Sequence, residues 1–206
     1  ADGDGFFLSP NGKTEPKTEL LANLRGMLEN LDTNNPIEHP QCRFPARFGW
    51  LSEQLDLTQH EVPKLYCPEL TKFLRVMRPS KVVLVMASAY LNAPPSMYGH
   101  TFLRFDHADH PDTLMLSNII NYAANQTTSN PILYSFMGVV GGFEGRFSGM
   151  PYYVKIREYS DGEARDLWEY ELPLSSKQLD TMLRYAWELN QTYFDYFFFT
   201  ENCAYH

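Results

Sequence analysis

Positive charge is scarce in this chain: 17 Lys and Arg against 25 Asp and Glu leave a formal net charge of -8 over 206 residues. A protein that grips a phosphate backbone needs a basic face, so nucleic acid is excluded as the expected partner. Long apolar runs are missing too. None approaches the roughly 18–20 residues that a membrane-spanning helix requires, and this part of the protein is expected to be soluble. Ala1-Asp2-Gly3-Asp4-Gly5 has neither the basic nor the apolar stretch of a signal peptide, as in a processed or trimmed N-terminus. No internal repeat or low-complexity tract interrupts the sequence. The glycines between Gly138 and Phe147 are not followed by a basic or Ser/Thr-bearing helix start, so they are no phosphate-binding loop and are expected as a flexible loop beside a sheet.

Cysteine is scarce and informative, with three in the chain. Cys42 and Cys67 lie 25 apart (67 minus 42), each beside a proline. A disulfide between them would contribute about 3 kcal/mol by the chain-entropy estimate and would place the protein in an oxidising compartment; two reduced, buried thiols are the alternative. Cys203 is then left over.

What is present suffices for a folded domain: 44% of residues are hydrophobic and 15% aromatic. Residues 1–18 read as a mobile tail. Helical spacing of Leu20, Leu21, Leu24, Met27, Leu28 and Leu31, with short helices over Pro45–Leu55 and Pro68–Met77, makes residues 19–80 a helical, cysteine-stapled region. From Lys81 the character changes. Val82–Ala87, Thr101–Phe105, Leu114–Ile120, Tyr152–Ile156 and Asp166–Leu172 are strand candidates, and Ser175-Ser176-Lys177-Gln178 fits a capping box opening a helix to about Asn190. Residues 81–206 therefore form the core of an α+β domain.

Two side chains carry possible chemistry. Cys203 follows the aromatic run Tyr196-Phe197-Phe198-Phe199 at an expected helix start, and His100 begins a strand just after Gly99. An imidazolium or a helix N-terminus beside Cys203 would lower its thiol pKa and make it a nucleophile. Two rivals stand beside this reading. A zinc site could draw on His100, His107, His110, Cys203 and His206, and a non-catalytic domain could bind a lipid or peptide with the aromatic run.

Asn202-Cys203-Ala204-Tyr205-His206 resembles the nucleophile motif of lecithin:retinol acyltransferase and its relatives, a circularly permuted branch of the NlpC-type papain-like enzymes. More closely, Pro95–Arg104, Cys42–Arg47, Asn121–Ala124 and Thr200–Cys203 together resemble the Lnb N-terminal periplasmic domain family, over about Cys42 to His206. The resemblance implies a permuted papain-like (NlpC-type) fold, with an antiparallel sheet packed on helices, facing the periplasm or cell envelope. It also implies acyl transfer through a cysteine thioester, from a phospholipid to a lipoprotein or peptide amine. A thiol amidase acting on cell-wall peptides is the alternative. Cys203 would be the nucleophile, His100 the base and then the acid, and Asn121 the orienting group, with Asn118 the other choice. The Cys203 amide would donate to the oxyanion with help from Tyr98 or Tyr90, Asn202 would cap the helix, and Glu201 would pair with Arg104. No cofactor or metal is needed. Because only three residues follow Cys203, the chain is expected to be an N-terminal piece of a longer protein whose membrane association lies elsewhere.

Overall fold

A computed structural model describes residues 1–3, 5–29, 31–57, 62–89, 99–107, 113–159 and 165–203. The chain divides into two units, one formed by 1–76 with 180–192 and the other by 77–179 with 193–206.

In the first unit, prolines open α1 (Pro16–Leu28), α2 (Pro40–Arg43) and α3 (Pro45–Gln54), where a missing N–H costs nothing at a first helical turn. Helix α4 spans Pro68–Met77. Met27, Phe44 and Leu51 form the core, with Leu8, Leu24 and Phe48 against it. The segment read as a mobile tail makes contacts with this unit. Glu19 accepts from Leu8 N and from Ser9 N at 2.8 Å, and Arg47 stacks over the Phe6 and Phe44 rings. Glu188, on the helix that returns to this unit, accepts from Ala46 N at 2.7 Å and Arg47 N at 2.9 Å, supplying an anion to the first turn of α3. Cys42 and Cys67 are joined as a disulfide with Cα atoms 5.4 Å apart.

The second unit is an antiparallel sheet with helices, an α+β arrangement. Its strands are β1 (Pro79–Ala87), β2 (His100–His107), β3 (Asn118–Asn125), β4 (Phe143–Pro151), β5 (Leu167–Leu172) and β6 (Phe194–Tyr196), in the order β5-β1-β2-β3-β4-β6. The apolar run of β1 lies between β5 and β2, so both its edges are paired. One sheet face carries Val83, Val85, Ala87, Phe102 and Ile119, covered by Tyr152 and Tyr159. The other carries Tyr122, Phe143 and Tyr196, packed against Phe198 and Cys203.

Three local expectations fail here. Leu114–Leu116 is a 3-10 turn, and the strand begins only at Asn118. Tyr152–Arg157 is helix α6, not a strand: Tyr152 and Lys155 are buried and Ile156 packs on the core, an i, i+3, i+4 stripe that outweighs local β-propensity. The glycine-rich stretch is no loose loop. Helix α5 (Pro131–Val140) runs into it, Gly141 ends the helix at φ 76°, and β4 follows. Gly138 is needed for close packing, because a Cβ there would meet the Phe198 ring at 2.2 Å. Ser175 and Gln178 do form the reciprocal cap before α7 (Ser176–Leu189), with Ser175 N donating to Gln178 Oε1 at 2.9 Å. From Asp180 onward α7 belongs to the first unit.

Candidate active site

Alternation along β2 puts His100, Phe102, Arg104 and Asp106 on one face and Thr101 on the other. Asn121 sits directly across from Phe102 in the β2–β3 register, so its side chain shares the histidine's face and its Oδ1 pairs with His100 Nε2. An amide oxygen only accepts, so Nε2 carries the ring proton and Nδ1 is the basic nitrogen. Asn118 lies across from Phe105, and its Nδ2 reaches His107 Nε2 at 3.1 Å, away from His100.

Cys203 is a free cysteine, 4% exposed. The fold brings it to the residues that flank His100. Its Sγ donates to the Gly99 carbonyl at 3.9 Å, and its own carbonyl accepts from Thr101 Oγ1. Gly99 has φ 87°, and a Cβ there would meet the Ala87 carbonyl oxygen at 2.9 Å, so a larger residue is excluded on two grounds. The thiol thus packs in the cluster on one sheet face, against the residues on either side of His100, while the imidazole lies on the other face.

The electrostatics run against the sequence expectation of a low thiol pKa. Burial pushes the Cys203 thiol up, opposed by hydrogen bonding to the Tyr196 hydroxyl, by the backbone of Cys203 and Thr101, and by the positive charge of Arg165. Burial pushes the His100 imidazole down to about 4, against the Asn121 hydrogen bond and with the help of Lys155 and Arg165. Desolvation penalises each charged form, so the resting pair is a neutral thiol and a neutral imidazole.

Other expected partners go elsewhere. Residues 201–203 are bridge, bend and turn, and the Cys203 amide donates to the Tyr196 hydroxyl at 3.3 Å instead of lying open to an oxyanion. Asn202 Nδ2 donates back to the Phe198 carbonyl at 2.8 Å, and the turn it was expected to cap lies outside the described residues. Arg104 pairs with Asp106 and Glu169 rather than Glu201. Tyr90, Tyr98, His110 and His206 lie outside the described residues. Among the described residues no group of three or more His, Cys, Asp or Glu side chains is placed to hold a metal ion.

Sequence reasoning missed Tyr196 and Arg165. Tyr196 is 2% exposed, inside a run of aromatics whose spacing gives no hint which ring faces the thiol. Arg165 Nε donates to the Ser88 carbonyl at 2.6 Å and its guanidinium stacks over Tyr159, which places one buried cation near both His100 and Cys203. Tyr196→Phe keeps the ring and deletes the hydroxyl. Alkylation of Cys203 by iodoacetamide at a fixed mildly alkaline pH is expected to slow about tenfold, the value of one hydrogen bond to a charged group. An unchanged rate would show that the hydroxyl does nothing for the thiolate.

A family model described as the Lnb N-terminal periplasmic domain matches residues 69–206. A second, described as a domain of unknown function, matches residues 1–54, so Cys42–Arg47, read from sequence with the first family, falls within this second match. No curated protein and no solved structure matches the chain.

Proposed function

The chain belongs to the Lnb N-terminal periplasmic domain family, and from that premise we propose that its second unit is a periplasmic thiol acyltransferase working through a Cys203 thioester. The observation that carries the reading is the return of the free thiol to Gly99 and Thr101, on either side of a histidine whose ring Asn121 orients.

The neutral resting pair suits general-base catalysis. The reaction requires a movement that brings Sγ within reach of Nδ1 past Gly99; Nδ1 then takes the thiol proton as Sγ attacks the ester carbonyl of a phospholipid acyl chain. The new C–S bond pushes the carbonyl electrons onto oxygen, and the Tyr196 hydroxyl, which accepts from the Cys203 amide, has its own O–H to donate to that charge. Collapse breaks the ester C–O bond, and the leaving alkoxide takes the proton from His100. An amine of a lipoprotein or peptide then attacks the thioester, His100 accepts its proton, and the released thiolate takes that proton back. The products are an amide and the free thiol.

The test offers the protein a phospholipid with a labelled acyl chain. A hydroxylamine-sensitive adduct should appear on Cys203 by mass spectrometry, be absent in Cys203→Ala, and discharge when a lipopeptide with a free N-terminal amine is added. Discharge to water alone would redirect the reading to a hydrolase. No adduct on Cys203 under any of these conditions would end it.

A further inference from the structure

The outer face of α5 carries an apolar stripe that nothing among the described residues covers. Ile132, Leu133, Phe136, Val139 and Val140 recur at i, i+1, i+4, i+7 and i+8, with Ile132 84% and Phe136 63% exposed. Phe199, 56% exposed, adjoins the same helix, because the Phe198 amide before it donates to the Gly138 carbonyl at 2.8 Å. We infer that this stripe is a docking surface for the face of a lipid bilayer.

Three observations favour lipid over a protein partner. First, charge is absent: no Asp, Glu, Lys or Arg occurs from Thr113 to Phe143, in a chain that is 20% charged overall. A protein interface surrounds its apolar centre with a polar rim and makes roughly one hydrogen bond per 100–200 Å². The side chains of this stripe offer no hydrogen-bonding group, and a hydrocarbon boundary asks for none. Second, backbone groups at both ends of α5 are paired. Asn130 Oδ1 accepts from Ile132 N and Leu133 N at 3.0 and 3.2 Å, and Gly142 N donates to the Met137 carbonyl at 2.7 Å. A helix entering a medium without water needs those groups paired. Third, the segment before it, Gln126-Thr127-Thr128-Ser129-Asn130, is polar and uncharged, which fits headgroup depth without needing an anionic lipid.

The position gives the surface a use, and here the inference rests on the acyl-transfer reading. The inner face of α5 packs through Tyr134 and Met137 on the cluster that contains Phe198, Tyr196 and Cys203. With α5 lying in the interface, the thiol sits roughly one helix diameter, about 10 Å, behind the lipid-facing side of the helix, so a donor phospholipid is held next to the cluster that contains Cys203.

Flotation of the 206-residue chain with vesicles of phosphatidylcholine alone tests the surface, with the oligomeric state followed by light scattering. The chain is expected to float, equally well at about 1 M salt, where charge contacts are screened. Ile132→Ser with Phe136→Ser should lower the bound fraction about tenfold or more with an unchanged circular-dichroism melt, whereas Leu116→Ser, an exposed apolar residue off the stripe, should change nothing. Flotation that needs anionic lipid and low salt would overturn the proposal. So would a double variant that floats like the parent, or a parent that forms a dimer which the double variant dissociates without ever floating. Cys203→Ala should float normally, which separates the two readings: flotation without adduct would sink the chemistry alone, and adduct without flotation would sink the docking surface alone.

Discussion

Replacing His100 with glutamine is expected to slow formation of the Cys203 adduct by about 10²–10⁴-fold, the usual contribution of a positioned general base. The same change should abolish an acid-sensitive part of the protein's stability. His100 has a folded-state pKa of about 4 against an ordinary 6.5, chiefly because burial disfavours the imidazolium. Below about pH 6.5 the unfolded chain takes up a proton that the native site refuses, so stability contributed by the neutral ring is complete above that pH and is lost as pH falls towards 4. The loss amounts to about 3 kcal/mol across that window, at 1.36 kcal/mol per unit. Urea denaturation of parent and His100→Gln at a series of pH values measures it. Two parallel stability curves would mean that His100 titrates normally and is not held neutral by its surroundings.

Arg104→Met is expected to be the most damaging single change to the second unit, at about 3–5 kcal/mol. Arg104 is 2% exposed, and its Nε and Nη2 donate to Asp106 Oδ1 and Oδ2 at 2.8 and 3.2 Å while Nη1 reaches Glu169. Tyr152 packs under the guanidinium and donates to the same Glu169 carboxylate at 3.1 Å, and Ser117 donates to Asp106 at 2.9 Å. Methionine matches the length of the side chain but leaves the buried Asp106 carboxylate with Ser117 and, at 3.8 Å, the exposed Lys81 ammonium, a weak substitute for the guanidinium. The cost is therefore the stranded charge, and the pair itself is worth less. The double variant Arg104→Met with Asp106→Leu should recover most of the lost stability in denaturant melts. A double variant as unstable as the single one would show that packing, not charge, is what the arginine supplies.

Legibility differed by residue for physical reasons. The apolar run of β1, the capping box of α7 and the spacing of α4 are local patterns, and each became the expected element. Tyr152–Arg157 misled because aromatic and β-branched residues favour strands only when a sheet neighbour is available, and here the rings were needed as a lid on the sheet. At the site, the likeness of short motifs marked Cys203, His100 and Asn121. It was silent on Tyr196 and Arg165, whose importance depends on which neighbours the chain places beside them.

By itself the sequence determined the family, the α+β class, the paired cysteines as one open reading, and the three side chains that carry possible chemistry. These follow from composition, period and local motif, which are properties of neighbours along the chain. Only the tertiary structure decided the protonation states of Cys203 and His100, the turn of Asn118 to the opposite face, the diversion of the Cys203 amide to Tyr196, and the uncovered stripe on α5. Each of these depends on burial and on partners distant in sequence, and desolvation is set by what surrounds a group in space.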